Sequence, residues 1–301
     1  MSETLLEELQ KLEQIARAGR WRRLLHRPVA YLSSLLWRDL IYKKTKKGQL
    51  RTASTFFDVP MQLLLPASMD IYLLGAKTHD SEIRLTRWLL QNLKQGQTFV
   101  DVGAHFGFFS LLASKLVGAE GAVLAFDAAP NTFQLLQKNT APFSNITAIH
   151  NAVSDEEGVL TFHEFPILYS EYNTLHPDQF QEEQWFDENL ATKVEVSSIR
   201  LDDFFVENKI KPSCIKIDVE GAEEQVLNGL TNHLGRYEMT IITECTLLSI
   251  KRHLAMQNTL SKLQYFPFII GASGTLRRIE KIEVYLQEKN LESDNFVFQK
   301  V

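Results

Sequence analysis

The chain has 301 residues, 45% of them hydrophobic and 23% charged, with a formal net charge of −5. That length fits one large domain, or one domain with an N-terminal appendage, and the composition excludes a disordered, collagen-like or disulfide-stapled chain. No run approaches 18 uninterrupted apolar residues, and Met1-Ser2-Glu3-Thr4-Leu5 does not open a charged-then-apolar leader, so a cytoplasmic globular protein is expected.

In chain order, Leu5, Leu9, Leu12 and Ala16 recur at helical spacing and predict an amphipathic helix near residues 3–18. Residues 17–51 then hold eleven basic side chains and one acid, Asp39, a net of +10 that leaves −15 on the rest. Trp21, Tyr31, Trp37 and Tyr42 alternate there with Arg22, Arg23, Arg27, Arg38 and Lys43. A solvated helical face explains such a run. So does peripheral contact with an anionic membrane surface, or with a lipid-linked substrate. Nucleic acid is disfavoured by the acidic body. Pro28 predicts the start of a second helix with Leu32, Leu35, Leu36 and Leu40 on one side, and residues 52–65 read as extended segments broken by Pro60 and Pro66. Residues 1–75 are therefore expected to form a helical and hairpin appendage, and residues 76–301 the main domain.

From residue 76 the pattern is regular. Asp80 is expected to cap a helix through Leu85, Trp88, Leu89 and Leu93 that ends near Gly96. Strands are predicted at 98–102, 122–126, 146–150, 214–217 and 239–243, with helices at 108–116, 130–136 and 221–230 between them. Asp202 is expected to cap or open a short helix at Phe204 and Phe205. Residues 266–270, a turn at 271–274 and a last strand at 295–298 suggest an antiparallel edge. The alternation predicts an α/β fold with a doubly wound, mostly parallel sheet. Cys214 and Cys245, on separate strands about 15 Å apart by strand rise, are expected to be free thiols. Residues 165–193 are irregular, acidic and aromatic, and are expected to form part of an acceptor wall, although loop packing explains the aromatics too.

Asp101-Val102-Gly103-Ala104-His105-Phe106-Gly107 lies between a predicted strand and helix. It is not the dinucleotide fingerprint, because His105 stands where pyrophosphate needs a bare backbone. A ligand without phosphates is easier to accommodate, and its carboxylate could use amides at the helix start. S-adenosylmethionine is such a ligand. Gly103, Ala104 and Gly107 would line its loop, Asp101 would face its ammonium, and Asp127 its ribose. The alternative is that the glycines serve only a tight turn and Asp127 stands in a solvent-facing loop. Asn151 is placed to reach the adenine edge or simply to form a turn. His79 and Glu82 precede the first strand and could close over the ligand.

The run Phe99-Val100-Asp101-Val102-Gly103-Ala104-His105-Phe106-Gly107-Phe108-Phe109-Ser110-Leu111 resembles the opening motif of the FkbM family of S-adenosylmethionine-dependent methyltransferases. Asn151-Ala152-Val153-Ser154-Asp155, Leu201-Asp202-Asp203-Phe204 and Ile215-Lys216-Ile217-Asp218-Val219-Glu220-Gly221-Ala222-Glu223 are similar to further elements of that family. The resemblance covers roughly residues 76–245. It implies a Rossmann-like class I methyltransferase fold, S-adenosylmethionine as cofactor, and O-methylation of a hydroxyl on a sugar, glycolipid or secondary metabolite. One departure is Asp127-Ala128-Ala129-Pro130, where the family usually has Glu-Pro.

Position and resemblance together make Asp218 the leading catalytic candidate, as general base, acceptor-positioning group or ammonium contact. Glu220 is a further candidate, or a helix-terminus acid. Glu244 follows the strand beside the acceptor site, and His105 is either base or structural. No zinc spacing occurs among histidines and cysteines, and no metal is expected. A nucleic-acid N-methyltransferase is disfavoured because no Asn/Asp-Pro-Pro-Tyr/Phe element occurs, and a nicotinamide oxidoreductase by His105. The remaining alternative is a non-catalytic S-adenosylmethionine-binding or membrane-adaptor protein using the basic arm.

Overall fold

A computed structural model describes residues 2–18 and 25–301; Trp21, Arg22 and Arg23 of the basic segment lie outside them. Helix α1 (Ser2–Arg17) is followed by α2 (Pro28–Leu36), which runs on through a π-helical stretch (Trp37–Tyr42). The hairpin β1 (Gln49–Ser54) and β2 (Pro60–Leu65) leads into α3 (Met69–Leu74) and α4 (Asp80–Asn92). The main sheet then begins with β3 (Thr98–Val102), α5 (Phe108–Val117), β4 (Ala122–Phe126), α6 (Pro130–Thr140) and β5 (Ile146–Ile149). A second, three-stranded sheet is made of β6 (Ala152–Val153), β7 (Gly158–Glu164) and β8 (Thr192–Ile199). The chain returns through α7 (Leu201–Glu207) to β9 (Cys214–Ile217), α8 (Glu223–Asn228), α9 (Thr231–Arg236) and β10 (Thr240–Thr246). It ends with α10 (Ile250–Lys262), β11 (Tyr265–Ile270), β12 (Leu276–Arg278), α11 (Ile282–Lys289) and β13 (Ser293–Lys300).

Period-two burial explains why the sheet is covered on both faces. Phe99, Cys214, Ile242 and Val297 enter one core; Val100, Val102, Ile215, Ile217, Ile241, Phe296 and Phe298 enter the other. Each of these strands is buried on both sides, which only helices above and below can supply. Burial of each such Phe or Ile contributes about 1.5–3 kcal/mol. The first core also takes Leu5, Leu9, Met61 and Leu63, so residues of the N-terminal appendage add a layer to this core.

The strand order is β12-β11-β13-β10-β9-β3-β4-β5. Strands β5, β4, β3, β9 and β10 are parallel neighbours, the expected doubly wound α/β sheet. The antiparallel strands gather at one end, but β13 is not the edge: it inserts between β10 and β11, antiparallel to both.

Three local expectations are corrected. Asp80 is the first residue of α4 and makes no cap; His79 precedes it, the Asp80 carboxylate lies 3.4 Å from Arg17, and the helix stops at Asn92. The helix expected from Gly221 begins at Glu223, because Glu220 (φ 53°) and Gly221 (φ 95°) are left-handed and cannot continue a right-handed helix. Asp202 opens its own helix, as the second residue of α7, but does not cap it: its carboxylate accepts the N–H groups of Asn232 (3.0 Å) and His233 (2.7 Å), capping α9. Cys214 and Cys245 are both buried and free.

Candidate active site

The parallel strands deliver polar residues to one rim. Asp101 lies in β3, Asp127 follows β4, Asn151 lies just past β5, Asp218 follows β9, and Glu244 is in β10. All five line one cavity of about 580 Å³, together with Glu82, Gly103, Ala104, His105 and Glu220. Ligands of open α/β sheets bind outside these strand ends. Gly107 is the exception among the expected site residues. It precedes α5 with φ 92°, and a Cβ on it would lie 2.8 Å from Leu136, so its smallness serves the turn.

The glycine loop is held by its own amides. The N–H groups of Gly103 and Ala104 both donate to the Phe126 carbonyl, that of His105 donates to Asp127 Oδ2 at 2.8 Å, and that of Gly107 to the Ala104 carbonyl. The first three of these bonds fasten the loop to the end of β4 and the fourth closes the loop on itself, so a ligand carboxylate is left the amides at the start of α5. Asp127 braces the loop as well as facing the cavity, because it also accepts the Ala129 N–H and the Thr132 hydroxyl. Burial pushes its carboxyl up to about 7 against those three hydrogen bonds. Asn151 donates its amide to the Ser197 carbonyl at 3.2 Å.

Asp101 fits a ligand ammonium. Its Oδ2 accepts the Ser110 hydroxyl at 2.6 Å, while its Oδ1 is buried with no hydrogen-bond partner. Lys216, paired with Asp101 in register across β3 and β9, stops 3.9 Å from that Oδ1. A buried carboxylate oxygen left open in a cavity is an acceptor awaiting a donor. Burial raises the Asp101 carboxyl, and Lys216 and Ser110 offset only part of this. The donor set therefore suits an amino-acid nucleoside: an open carboxylate for the ammonium, then Asp127 and Asn151 further along the rim.

Two lysines that sequence reasoning passed over organise the charge. Lys216 is 3% exposed and donates to Asp218 Oδ2 at 2.8 Å, with its ammonium 5.1 Å above the Phe109 ring. Its signal was available: a lone cation in the otherwise apolar strand Cys-Ile-Lys-Ile demands a buried partner. Lys77 donates to Glu82 at 2.6 Å and to Glu171 at 3.2 Å. Desolvation works against the Lys77 ammonium, yet Glu171 and Glu82 hold its pKa above the ordinary value. Desolvation likewise works against the Asp218 carboxylate, and Lys216 and Lys77 hold it below. Asp218 is thus ionised.

Its neighbours are not. Desolvation and the Asp218 charge push Glu244 up to about 8, although Ser293 donates to it at 2.7 Å. The same two causes, with Glu244 added, raise Glu220 well above the carboxylate range. Asp218, Glu220 and Glu244 each offer an oxygen within 4.8 Å of the others. Such a trio has the geometry for a hard cation, but Lys216 already sits on Asp218. His105 hydrogen-bonds Ser170 through Nε2 at 2.9 Å, and burial lowers its ring to about 4. It is neutral at pH 7 and a poorer proton acceptor than an ordinary imidazole.

The middle segment forms one wall, as expected of it. Tyr172, Phe180 and Trp185 line the cavity. Trp185 stacks on Tyr169 at 4.4 Å and on Tyr172 at 5.1 Å, and Phe165 meets it edge-on.

Residues 101–286 match the family model described as the methyltransferase FkbM domain. The chain is similar to "Methyltransferase sdnD" of Sordaria araneosa, 28% identical over 178 residues that make up 52% of this chain and 68% of that protein. It is similar to "Hexuronic acid methyltransferase AglP" of Haloferax volcanii, 25% identical over 159 residues, 52% of this chain and 59% of that protein. The matched regions thus span 59–68% of these relatives' lengths. Among solved structures, the methyltransferase FkbM of Methylobacillus flagellatus KT is similar at a TM-score of 0.43 and 14% identity, covering 77% of this chain and 52% of that one.

Proposed function

The chain belongs to the FkbM family of S-adenosylmethionine-dependent methyltransferases, and from that premise we propose that it methylates a hydroxyl oxygen of a neutral sugar or sugar-like polyol. The observation that carries this reading is the meeting of three carboxyl groups, Asp218, Glu220 and Glu244, with the aromatic wall of Tyr172, Phe180 and Trp185 in one cavity. Carboxyl oxygens accept hydrogen bonds from neighbouring hydroxyls, and aromatic faces cover the apolar face of a sugar ring. The name of the Haloferax relative supports a sugar as acceptor. The ionised Asp218 disfavours a uronate carboxylate beside it, which would meet like charge.

When bound, the cofactor supplies a methyl group activated by a positive sulfur for in-line displacement. Asp101 would hold the ammonium through Oδ1, with Asp127 and Asn151 toward the nucleoside. Asp218, ionised, accepts the hydrogen bond of the acceptor hydroxyl and orients its oxygen. The hydroxyl proton passes to the Asp218–Glu244 pair, whose carboxyl oxygens lie within 4.8 Å of one another. Glu220, protonated, donates to a second acceptor oxygen.

The test is a transfer assay with isotope-labelled cofactor across neutral glycosides, uronic acids, phenols and amines, read by mass and by base stability of the product. A base-stable methyl ether on a neutral sugar supports the proposal. Base-labile methyl esters, or N-methyl products alone, would refute it.

A further inference from the structure

Leu25, Val29, Leu32, Leu36 and Leu40 are 75%, 81%, 51%, 59% and 61% exposed. Val29, Leu32, Leu36 and Leu40 follow one another at steps of three, four and four residues, which places them on one stripe of α2 and its π-helical extension, and Leu25 lies just before the helix. The opposite side is fastened to the body: Ser34 and Tyr42 are buried, Arg27 donates to the Tyr72 carbonyl at 2.8 Å, and the Tyr42 hydroxyl accepts the Leu168 N–H at 2.9 Å. Single exposed leucines are ordinary, but a continuous apolar stripe on a firmly attached helix marks an interaction face.

We propose that this stripe is a membrane-contacting face, with the helix lying in the headgroup region of an anionic bilayer. Charge identifies the occupant. Residues 17–51 carry a net +10, and Lys44, Lys47 and Arg51 are exposed beyond the end of the stripe. Anionic headgroups complement that charge while the acyl boundary receives the leucines. A second copy of the chain would set the exposed Lys44, Lys47 and Arg51 against like charge. Among the described residues no helix is long and apolar enough to cross a membrane, so the contact is peripheral. The attachment through Tyr42 and Leu168 sets this helix beside the segment that continues into Tyr169, Ser170, Glu171 and Tyr172 of the cavity region. The inference does not depend on which acceptor is methylated.

The full chain is floated with phosphatidylcholine vesicles alone and with vesicles containing about one third phosphatidylserine. Binding to the anionic vesicles only, weakened severalfold as salt rises toward roughly 0.5 M, is expected. Leu32→Glu with Leu36→Glu should lower the bound fraction at least about tenfold while the circular-dichroism spectrum and cofactor affinity stay as in the parent. Lys44→Glu with Lys47→Glu should remove much of the phosphatidylserine dependence. Failure of the parent chain to float with anionic vesicles, or equal flotation of the leucine variant, overturns the proposal. So does a dimer dissolved by the leucine substitutions with no vesicle binding by the parent, which would assign the face to a second copy.

Discussion

Gly103 and Asp218 meet backbone to backbone: a Cβ on Gly103 would lie 1.8 Å from the Asp218 carbonyl oxygen. Gly103 also has φ 81°, where a side chain is strained regardless of space. This close approach packs the glycine loop against the end of β9, where the Asp218 N–H also donates to the Val102 carbonyl at 3.0 Å. Gly103→Ala should therefore cost about 3 kcal/mol or more in stability and weaken cofactor binding together. Chemical denaturation and calorimetry on the same variant check this; a parent-like midpoint would contradict it.

Asp101 is the group whose loss should be felt most by the cofactor. Its open Oδ1 is the buried acceptor on the rim. Asp101→Ala should reduce S-adenosylmethionine affinity by at least about tenfold, the scale of a lost charge-assisted hydrogen bond. It should also leave Lys216 with Asp218 as its remaining carboxylate partner. Titration calorimetry decides, and unchanged affinity would remove Asp101 from the cofactor site.

Turnover should rise with pH. Glu244 is held up to about 8 by desolvation and by Asp218, with Glu82 acting in the same direction and Lys216 and Ser293 against it. At pH 7 the group is therefore protonated, and the form able to take a proton appears as pH passes about 8. The expected kcat profile has a rising limb with a midpoint near that value, and Glu244→Gln flattens it. Asp218→Asn should lower kcat more than cofactor affinity. A profile that keeps the same limb in E244Q assigns the ionisation elsewhere.

Asp202 is a structural acid with no place in the cavity. Asp202→Ala removes the cap from α9 and leaves two N–H groups without their acceptor, a loss of about 1 kcal/mol or somewhat more. Thermal unfolding should register that loss while kcat/KM stays at the parent value. A fall in turnover with unchanged melting would reverse the assignment.

What could be read from the sequence was whatever repeats with a short period. β4 and β9 fall on their expected bounds, because Ala122-Val123-Leu124-Ala125-Phe126 and Cys214-Ile215-Lys216-Ile217 are apolar runs ended by an acid. The rim residues Asp101, Asp127, Asn151 and Asp218 were legible for the same reason, each at or near a strand end, whereas Glu244, expected just past its strand, lies inside β10, which runs on to Thr246 paired with β13. Partners distant in sequence were not. Nothing near Asp202 announces that its carboxylate caps a helix starting at Thr231, and nothing beside Lys77 points to Glu171. Nor can residue type alone reveal that Glu220, a side chain that ordinarily avoids φ above zero, takes φ 53° and delays α8.

The insertion of β13 between β10 and β11 has a consequence for how the chain is made. On the ribosome, both flanking strands emerge before the one that must separate them, so neither can satisfy its facing N–H and C=O groups until residues 293–300 arrive. Until then the nascent sheet exposes two open borders, and premature pairing of β10 with β11 would have to be undone. The half bearing the cofactor loop, by contrast, needs nothing from that segment for its strand pairing and is free to assemble during synthesis.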